Sequence, residues 1–126
     1  MAGPLDGIVV LDLTRALAGP YATALLADLG ATVTKVESSK GGDSTRGWPP
    51  FEGEHSLYYD SVNRGKSSIA VDFRSPEGIA LIRSLALAAD VVIENFRPGV
   101  MAEMGLDPAS LRAEKPGLVI ASVSGF

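Results

Sequence analysis

The chain has 126 residues, no cysteine and a net charge of −4, with 46% apolar and 21% charged residues. That length suits one domain with a modest core, and the composition is that of a globular protein, not a disordered one. It excludes disulfides, thiolate metal centres and a cysteine nucleophile, and it offers neither a basic field for nucleic acid nor a polybasic face for anionic lipid. Residues Met1–Gly7 lack the charged start and apolar stretch of a secretion signal. No apolar run reaches the roughly 18–20 residues of a membrane span. The expectation is a cytoplasmic chain that engages neither membrane nor nucleic acid.

Ile8–Leu13 is a near-continuous, β-branched apolar run that reads as a first strand buried on both faces. Thr14–Gly19 is a loop, and Pro20 opens a helix through Tyr21, Leu25, Leu26 and Leu29, with Gly30 as its stop. Ala31–Glu37 is the second strand, completing a β–α–β unit of a parallel sheet. From Ser38 to Arg64 the periodicity dissolves into Gly, Pro, Ser and charge, around the single Trp48, the single His55, and Tyr58 and Tyr59. A loop of that length in a compact domain is functional or needs a partner to order it, with some helix expected around Ser56–Asn63. Ser67–Phe73 is the third strand, and Ser75-Pro76-Glu77 starts a helix that runs to Ala88. Its apolar positions on more than one side (Ile79, Leu81, Ile82, Leu85, Leu87) predict that other structure largely covers it. Val91–Glu94 is the fourth strand. Asp107-Pro108 starts a further short helix, with Leu106 and Leu111 placed for a hydrophobic staple, and Leu118–Val123 is the fifth strand. The fold class is α/β, a Rossmann-like, doubly wound and mostly parallel sheet without internal repeats. Phe126 falls where the next loop and helix of such a domain begin, so residues 1–126 read as the N-terminal part of a larger, truncated domain.

The break after the fourth strand carries the most chemistry. Asn95 can hydrogen-bond in both directions, Phe96 offers a flat apolar face, Arg97 can hold a phosphate, and Pro98-Gly99 turns the chain. Arg74 follows the third strand as Arg97 follows the fourth, which puts both on the sheet edge where open α/β folds bind ligands. They form either a polyphosphate site or a pair of solvated arginines. Ala18 and Gly19, ahead of the first helix, either admit a ligand close to the backbone or merely pack the turn. Gly65-Lys66-Ser67 is rejected as a P-loop: Asp60 occupies the first glycine position, and the segment precedes a strand instead of following one. Of the dinucleotide fingerprint only Gly19 and the acid Glu37 are present. His55 with Glu52, Glu54 and Asp60 reads as an exposed loop and not a metal site, and one histidine supports no Ser-His-Asp set. Trp48, Phe51, Tyr58 and Tyr59 read as cover for a sheet edge or a subunit interface ahead of a ligand pocket.

Several separated motifs carry a resemblance in order along the chain. They are Leu11-Asp12-Leu13-Thr14 with Ala18-Gly19-Pro20, Leu29-Gly30-Ala31 with Lys35-Val36-Glu37, and Gly42-Asp43-Ser44-Thr45-Arg46. Asn63-Arg64-Gly65-Lys66-Ser67-Ser68-Ile69, Glu94-Asn95-Phe96-Arg97-Pro98-Gly99, Met104-Gly105-Leu106 and Ser122-Val123-Ser124-Gly125-Phe126 continue it. Over essentially its whole length the chain resembles the N-terminal part of the class III CoA-transferases, the family of formyl-CoA transferase, carnitine CoA-transferase and alpha-methylacyl-CoA racemase. The resemblance implies a Rossmann-like fold that takes coenzyme A or acyl-CoA as substrate together with a carboxylic acid, without a metal. It also implies subunits that interlock as a homodimer in the full-length parent. By position it implies that Leu17 and Ala18 lie against CoA, that Val71 and Arg74 contact its nucleotide, and that Asn95, Phe96 and Arg97 contact its adenine and pantetheine arm.

The reaction so implied moves CoA between acids. An Asp carboxylate attacks the acyl-CoA thioester to give an acyl anhydride, and an enzyme-bound CoA thioester carries the group onward. That Asp, and the His/Asp pair of the racemases, would fall beyond Phe126. No catalytic residue is therefore assigned, and the chain alone is expected to be inactive. Two positions depart from the family pattern. Ser38 stands where many members have a phosphate-binding Arg, with Lys40 or Arg46 as possible substitutes, and Glu103 stands where a basic residue is common. The alternatives are a racemase-like enzyme, a non-catalytic CoA-binding or assembly module, and a nicotinamide-binding domain, the last disfavoured by the glycine pattern. A piece of an interlocked dimer is expected to expose apolar surface at the sheet edge and over Ser38–Arg64, with self-association or disorder in that loop.

Overall fold

The structure is a computed structural model that describes residues 2–125. In chain order its elements are β1 (Val9–Asp12), α1 (Ala18–Asp28), β2 (Thr32–Ser38), a 3₁₀ turn at Ser44–Gly47, β3 (Phe51–Glu52), β4 (His55–Ser56) and α2 (Leu57–Asn63). β5 (Lys66–Val71), α3 (Pro76–Ala88), β6 (Val91–Glu94), α4 (Val100–Glu103), α5 (Pro108–Glu114) and β7 (Val119–Ser122) follow. The main sheet runs β5-β2-β1-β6-β7 with every pairing parallel, and β3–β4 is a separate antiparallel hairpin. The chain winds outward from β1 through β2 to β5, then returns to place β6 on the other side of β1. This is the doubly wound α/β arrangement expected from the sequence, with its switch point between β1 and β6.

Strand periodicity divides the core in two. Leu11, Val36, Val71 and Val92 face α3 and α5 through Ile82, Ala86 and Leu111, whereas Val10, Val33 and Ile93 face α1 through Leu26 and Ala27. On the α1 side the same alternation carries Asp12, Lys35 and Glu37 inward, and all three are buried. The carboxyl half of that face is therefore charged, and the segment 38–64 covers it. Asp12 accepts hydrogen bonds from Thr14, from the Thr23 hydroxyl and from Lys66 Nζ at 2.9 Å. Lys66 spends its remaining donors on the Pro20 carbonyl and Asn63 Oδ1. Burial pulls the Lys66 amine below its ordinary range, while Asp12 draws it back up.

Several boundaries differ from the sequence expectation for local reasons. α1 begins at Ala18 and not Pro20, because Leu17 supplies the carbonyl that takes the Tyr21 N–H at 2.8 Å. Pro20 is accommodated because first-turn N–H groups need no helical partner. β5 stops at Val71, since Asp72 turns the chain by accepting the Arg74 N–H at 2.9 Å. α3 is capped by the Ser75 hydroxyl on the Gly78 N–H at 2.9 Å, but it is covered on one side only, leaving Leu81 exposed. The staple forms as expected, with Leu106 and Leu111 both buried below the Asp107 cap. The segment 38–64 is folded, not irregular. Apolar surface is exposed there at Trp48, Phe51 and Leu57, on α1 at Tyr21, Leu25 and Leu29, and on the edge strand at Val119. No helix among the described residues is long and apolar enough to cross a membrane.

Lys66→Met removes one partner of a pair whose side chains are almost fully buried and leaves the Asp12 charge uncompensated. Urea unfolding is expected to report a loss of about 3–5 kcal/mol, and a loss below about 1 kcal/mol would contradict this account of the covered face.

Candidate functional site

The loop between β1 and α1 is tied down from several elements at once. The Thr14 N–H is taken by Asp12 Oδ1 at 2.8 Å, and the Thr14 carbonyl accepts from Lys35 Nζ at 3.0 Å. Arg15 is clasped by the Asn95 side chain: Oδ1 accepts its N–H at 3.0 Å, and Nδ2 donates to its carbonyl at 2.8 Å. Asp43 Oδ1 accepts the Ala16 N–H at 3.3 Å. Ala16 has φ 71°, the left-handed region that non-glycine residues rarely occupy. Gly19 then brings α1 against the loop, where a Cβ would stand 2.3 Å from Thr14 Cβ. Only glycine fits that approach.

Two ion pairs anchor the covering segment beneath this loop. Lys35 Nζ lies 2.8 Å from Asp43 Oδ2 with both side chains fully buried, and Asp43 also caps the 3₁₀ turn through Thr45. Glu37 receives the Arg46 guanidinium in a two-pronged bond of 2.8 and 2.7 Å, the Tyr59 hydroxyl, the Ser68 hydroxyl and the Asp43 N–H. Burial by itself would raise both carboxyls. Arg46 above all outweighs it at Glu37, and Lys35 at Asp43, so both sit below the usual carboxylate range. Tyr59 is pushed above its ordinary value by burial and then by the Glu37 charge.

Beyond the carboxyl ends of β1 and β6 lies a recess of about 400 Å³ lined by Arg15, Ala16, Asn95, Phe96, Arg97 and Val100. A neighbouring recess of about 280 Å³, off the ends of β2 and β5, is lined by Arg15, Ser38, Lys40, Asp72, Phe73 and Arg74. Arg15 borders both. Its guanidinium carbon stands 5.0 Å from the Phe96 ring centroid and 5.9 Å from that of Phe73, and the two rings meet edge to face at 5.9 Å. The ion pairs of the described residues use Lys35, Arg46, Arg64, Lys66 and Arg83 as cations, and His55 is hydrogen-bonded to Asp60. Arg15, Lys40, Arg74 and Arg97 stand outside those pairs, at the mouth of the crevice. Such an edge can hold a long polyanionic ligand with an aromatic or apolar portion.

Most of the residues singled out in the sequence converge here. Arg74 lines the smaller recess, Asn95, Phe96 and Arg97 line the larger one, and Leu17 and Ala18 are exposed where the first loop meets α1. Val71 has its side chain in the core, and its carbonyl accepts the Ser39 N–H at 3.0 Å. It shapes the edge and offers no side chain to a ligand. Of the two substitutes for the arginine missing at Ser38, Lys40 lines the recess with Ser38 and Arg74, while Arg46 is committed to Glu37. Glu103 lies at the end of α4, and the acids Asp72 and Glu94 near the crevice are used on the Arg74 and Phe96 N–H groups. His55 pairs with Asp60 at 2.7 Å, both exposed. Sequence reasoning missed Arg15, although it is the first cation after β1 in the chain. It also missed the Lys35–Asp43 pair, whose signal was a lysine at an inward position of a strand.

The model of CoA-transferase family III matches residues 5–126. The chain belongs to CoA-transferase family III. The succinate–glutarate CoA-transferase of Agrobacterium fabrum is 52% identical over 130 residues, which cover 98% of this chain and 32% of that protein. The human succinyl-CoA:glutarate CoA-transferase is 49% identical over 98% of this chain and 28% of its own length. The acetyl-CoA:oxalate CoA-transferase of Acetobacter aceti is 45% identical, again over 98% of this chain. The crystal structure of a CAIB/BAIF family protein from Brucella suis superposes with a TM-score of 0.93 at 50% identity, covering all of this chain and 34% of that one. This family III chain thus spans about a third of the length of the relatives it matches.

The depressed Glu37 and Asp43 carboxyls give the family III chain an acid-sensitive segment. Their folded values lie below the ordinary 4.5 and 3.8, so the unfolded chain takes up more protons as the pH falls through those values. Their stabilisation is complete above them and is lost below. Followed through Trp48 fluorescence in urea, stability should fall steadily from about pH 5 to about pH 3, and Glu37→Gln should flatten the slope. Equal stability at both ends would contradict the assignment.

Proposed function

We propose that this chain supplies the coenzyme-binding edge of an enzyme that moves CoA between carboxylic acids. The observation that carries the reading is the crevice at the β1/β6 switch point. There, Arg15 and Arg97 line one recess with the half-buried Phe96, and Arg15, Lys40 and Arg74 line its neighbour, all four cations being unpaired among the described residues. In this reading the CoA phosphates lie over Arg74, Lys40 and Arg15, with Lys40 taking the part of the arginine that Ser38 replaces. The adenine and pantetheine arm follow Phe96 and Arg97 past Leu17 and Ala18. The transferase names of the relatives, over nearly the whole of this chain, support the reaction class.

The chemical step would follow the family pattern: an Asp carboxylate attacks the acyl-CoA carbonyl and expels CoA thiolate to leave an acyl anhydride. The thiolate then attacks the Asp carbonyl, giving an enzyme–CoA thioester and releasing the first acid as its carboxylate. Asp72 and Glu94, close to the crevice, are engaged with backbone N–H groups. The chain alone is therefore expected to bind CoA without transferring it. The exposed apolar residues of α1 and of the segment 38–64 fit burial against further structure, including a second subunit of the full-length protein.

Calorimetric titration of the chain should detect CoA binding and none for NAD. Arg74→Ala should weaken CoA binding about tenfold or more, and Lys40→Ala about threefold or more, as the loss of charge-assisted contacts. Equal binding of NAD, or indifference to both substitutions, would contradict the reading.

A further inference from the structure

We propose that Asn95 is a positioning residue, which with Asp43 holds the Thr14–Leu17 loop in its ligand-ready conformation before any coenzyme arrives. The proposal rests on the crevice being the coenzyme site, and it gives Asn95 a role other than that of a direct ligand contact. Every backbone N–H and C=O from the Thr14 N–H to the Ala16 N–H is bound by a side chain, and the partners come from β1, β2, the 3₁₀ cap and the turn after β6. Backbone groups in an exposed loop ordinarily bond to water. Here each is taken by a fixed protein group.

The reason lies one residue further on. Ala16 is the one non-glycine among the described residues with a positive φ, a conformation that its Cβ opposes. It stays there because Arg15 is held on one side by the two-way Asn95 clasp and its own N–H is held by Asp43. The clasp works like a rung of strand pairing, N–H to oxygen and carbonyl to nitrogen, between residues 80 apart in sequence. It uses one acceptor site and one donor of the Asn95 amide on the protein itself. What it sets is the place of Arg15, whose guanidinium borders both recesses and lies over Phe96 and Phe73. Loosening Asn95 thus disturbs cations and stacking surface together, although Asn95 itself need not touch the ligand.

The test uses Asn95→Ala, which lies in a half-buried turn and leaves the buried ion pairs intact, alone and combined with Ala16→Gly. Glycine enters the left-handed region freely, so it removes the opposition that the clasp overcomes. It cannot restore a contact between Asn95 and a ligand. In Asn95→Ala, amide exchange at Arg15 and Ala16 followed by NMR should rise about tenfold or more, and CoA affinity by calorimetry should fall about tenfold. Adding Ala16→Gly should recover at least about threefold of that affinity. Weakened binding with unchanged Arg15 and Ala16 exchange, or with no recovery in the double variant, would overturn the proposal and make Asn95 a direct contact. If the unaltered chain binds no CoA, the coenzyme reading fails and so does the ligand-ready role. The exchange rates then decide separately whether the clasp holds the loop at all.

Discussion

The Lys35–Asp43 ion pair is the constraint on which the rest of this structure depends. Lysine seldom points into the interior from the middle of a strand, and here it does so fully buried. The charge needs a partner, and the partner comes from a segment with little apolar periodicity of its own. Asp43 meets Lys35, caps the turn that follows and reaches up to the Ala16 N–H. One carboxylate thereby joins the sheet, the covering segment and the loop at the crevice. Glu37 repeats the arrangement one step along the same face with Arg46 and Tyr59, and Asp12 does so with Lys66. Besides the buried Tyr59 and Val62, the covering segment is held by these charges and hydrogen bonds, which ties its order to protonation state.

Strand order explains why the crevice sits where it does. Reversal of the winding at β1 and β6 leaves their carboxyl ends uncovered by either crossover, and the loops from those ends diverge to leave a gap. The residues in the gap come from both loops, and Asn95 ties them together across it. Lys40, Arg74 and Phe73 line the β2/β5 side, and Phe96 and Arg97 the β6 side. Arg15 stands between, over both rings. That distribution suits a ligand with phosphates at one end and a flexible apolar arm at the other, which is the basis of the proposed CoA reading.

Much of the architecture was legible from residue order because parallel strands covered on both faces leave near-continuous apolar runs, as in Val10–Leu11 and Val92–Ile93. Proline and glycine marked most helix ends. Within the segment 38–64 the helix expected around Ser56–Asn63 forms as Leu57–Asn63, but the 3₁₀ turn and the β3–β4 hairpin before it were not legible. The anchors of the segment are Glu37, Asp43 and Arg46, whose pairing depends on which strand faces they share, and periodicity does not reveal a partner across the sheet. Val71 stands at the sheet edge as the resemblance implies, and the alternation along β5 sends its side chain to the core, so any contact it makes with a ligand is through its backbone. The part Arg15 plays is not legible in sequence, because it depends on the Phe73 and Phe96 rings that the fold brings beneath its guanidinium.

The most direct test of this account is an NMR footprint of CoA on the isotope-labelled chain, reading every assigned amide during titration. The account predicts shifts grouped at Arg15–Ala18, Lys40, Phe73–Arg74 and Asn95–Arg97, saturating together with a single affinity. Shifts confined to the β3–β4 hairpin, to the exposed face of α1 or to the amino-terminal edge of the sheet would contradict it.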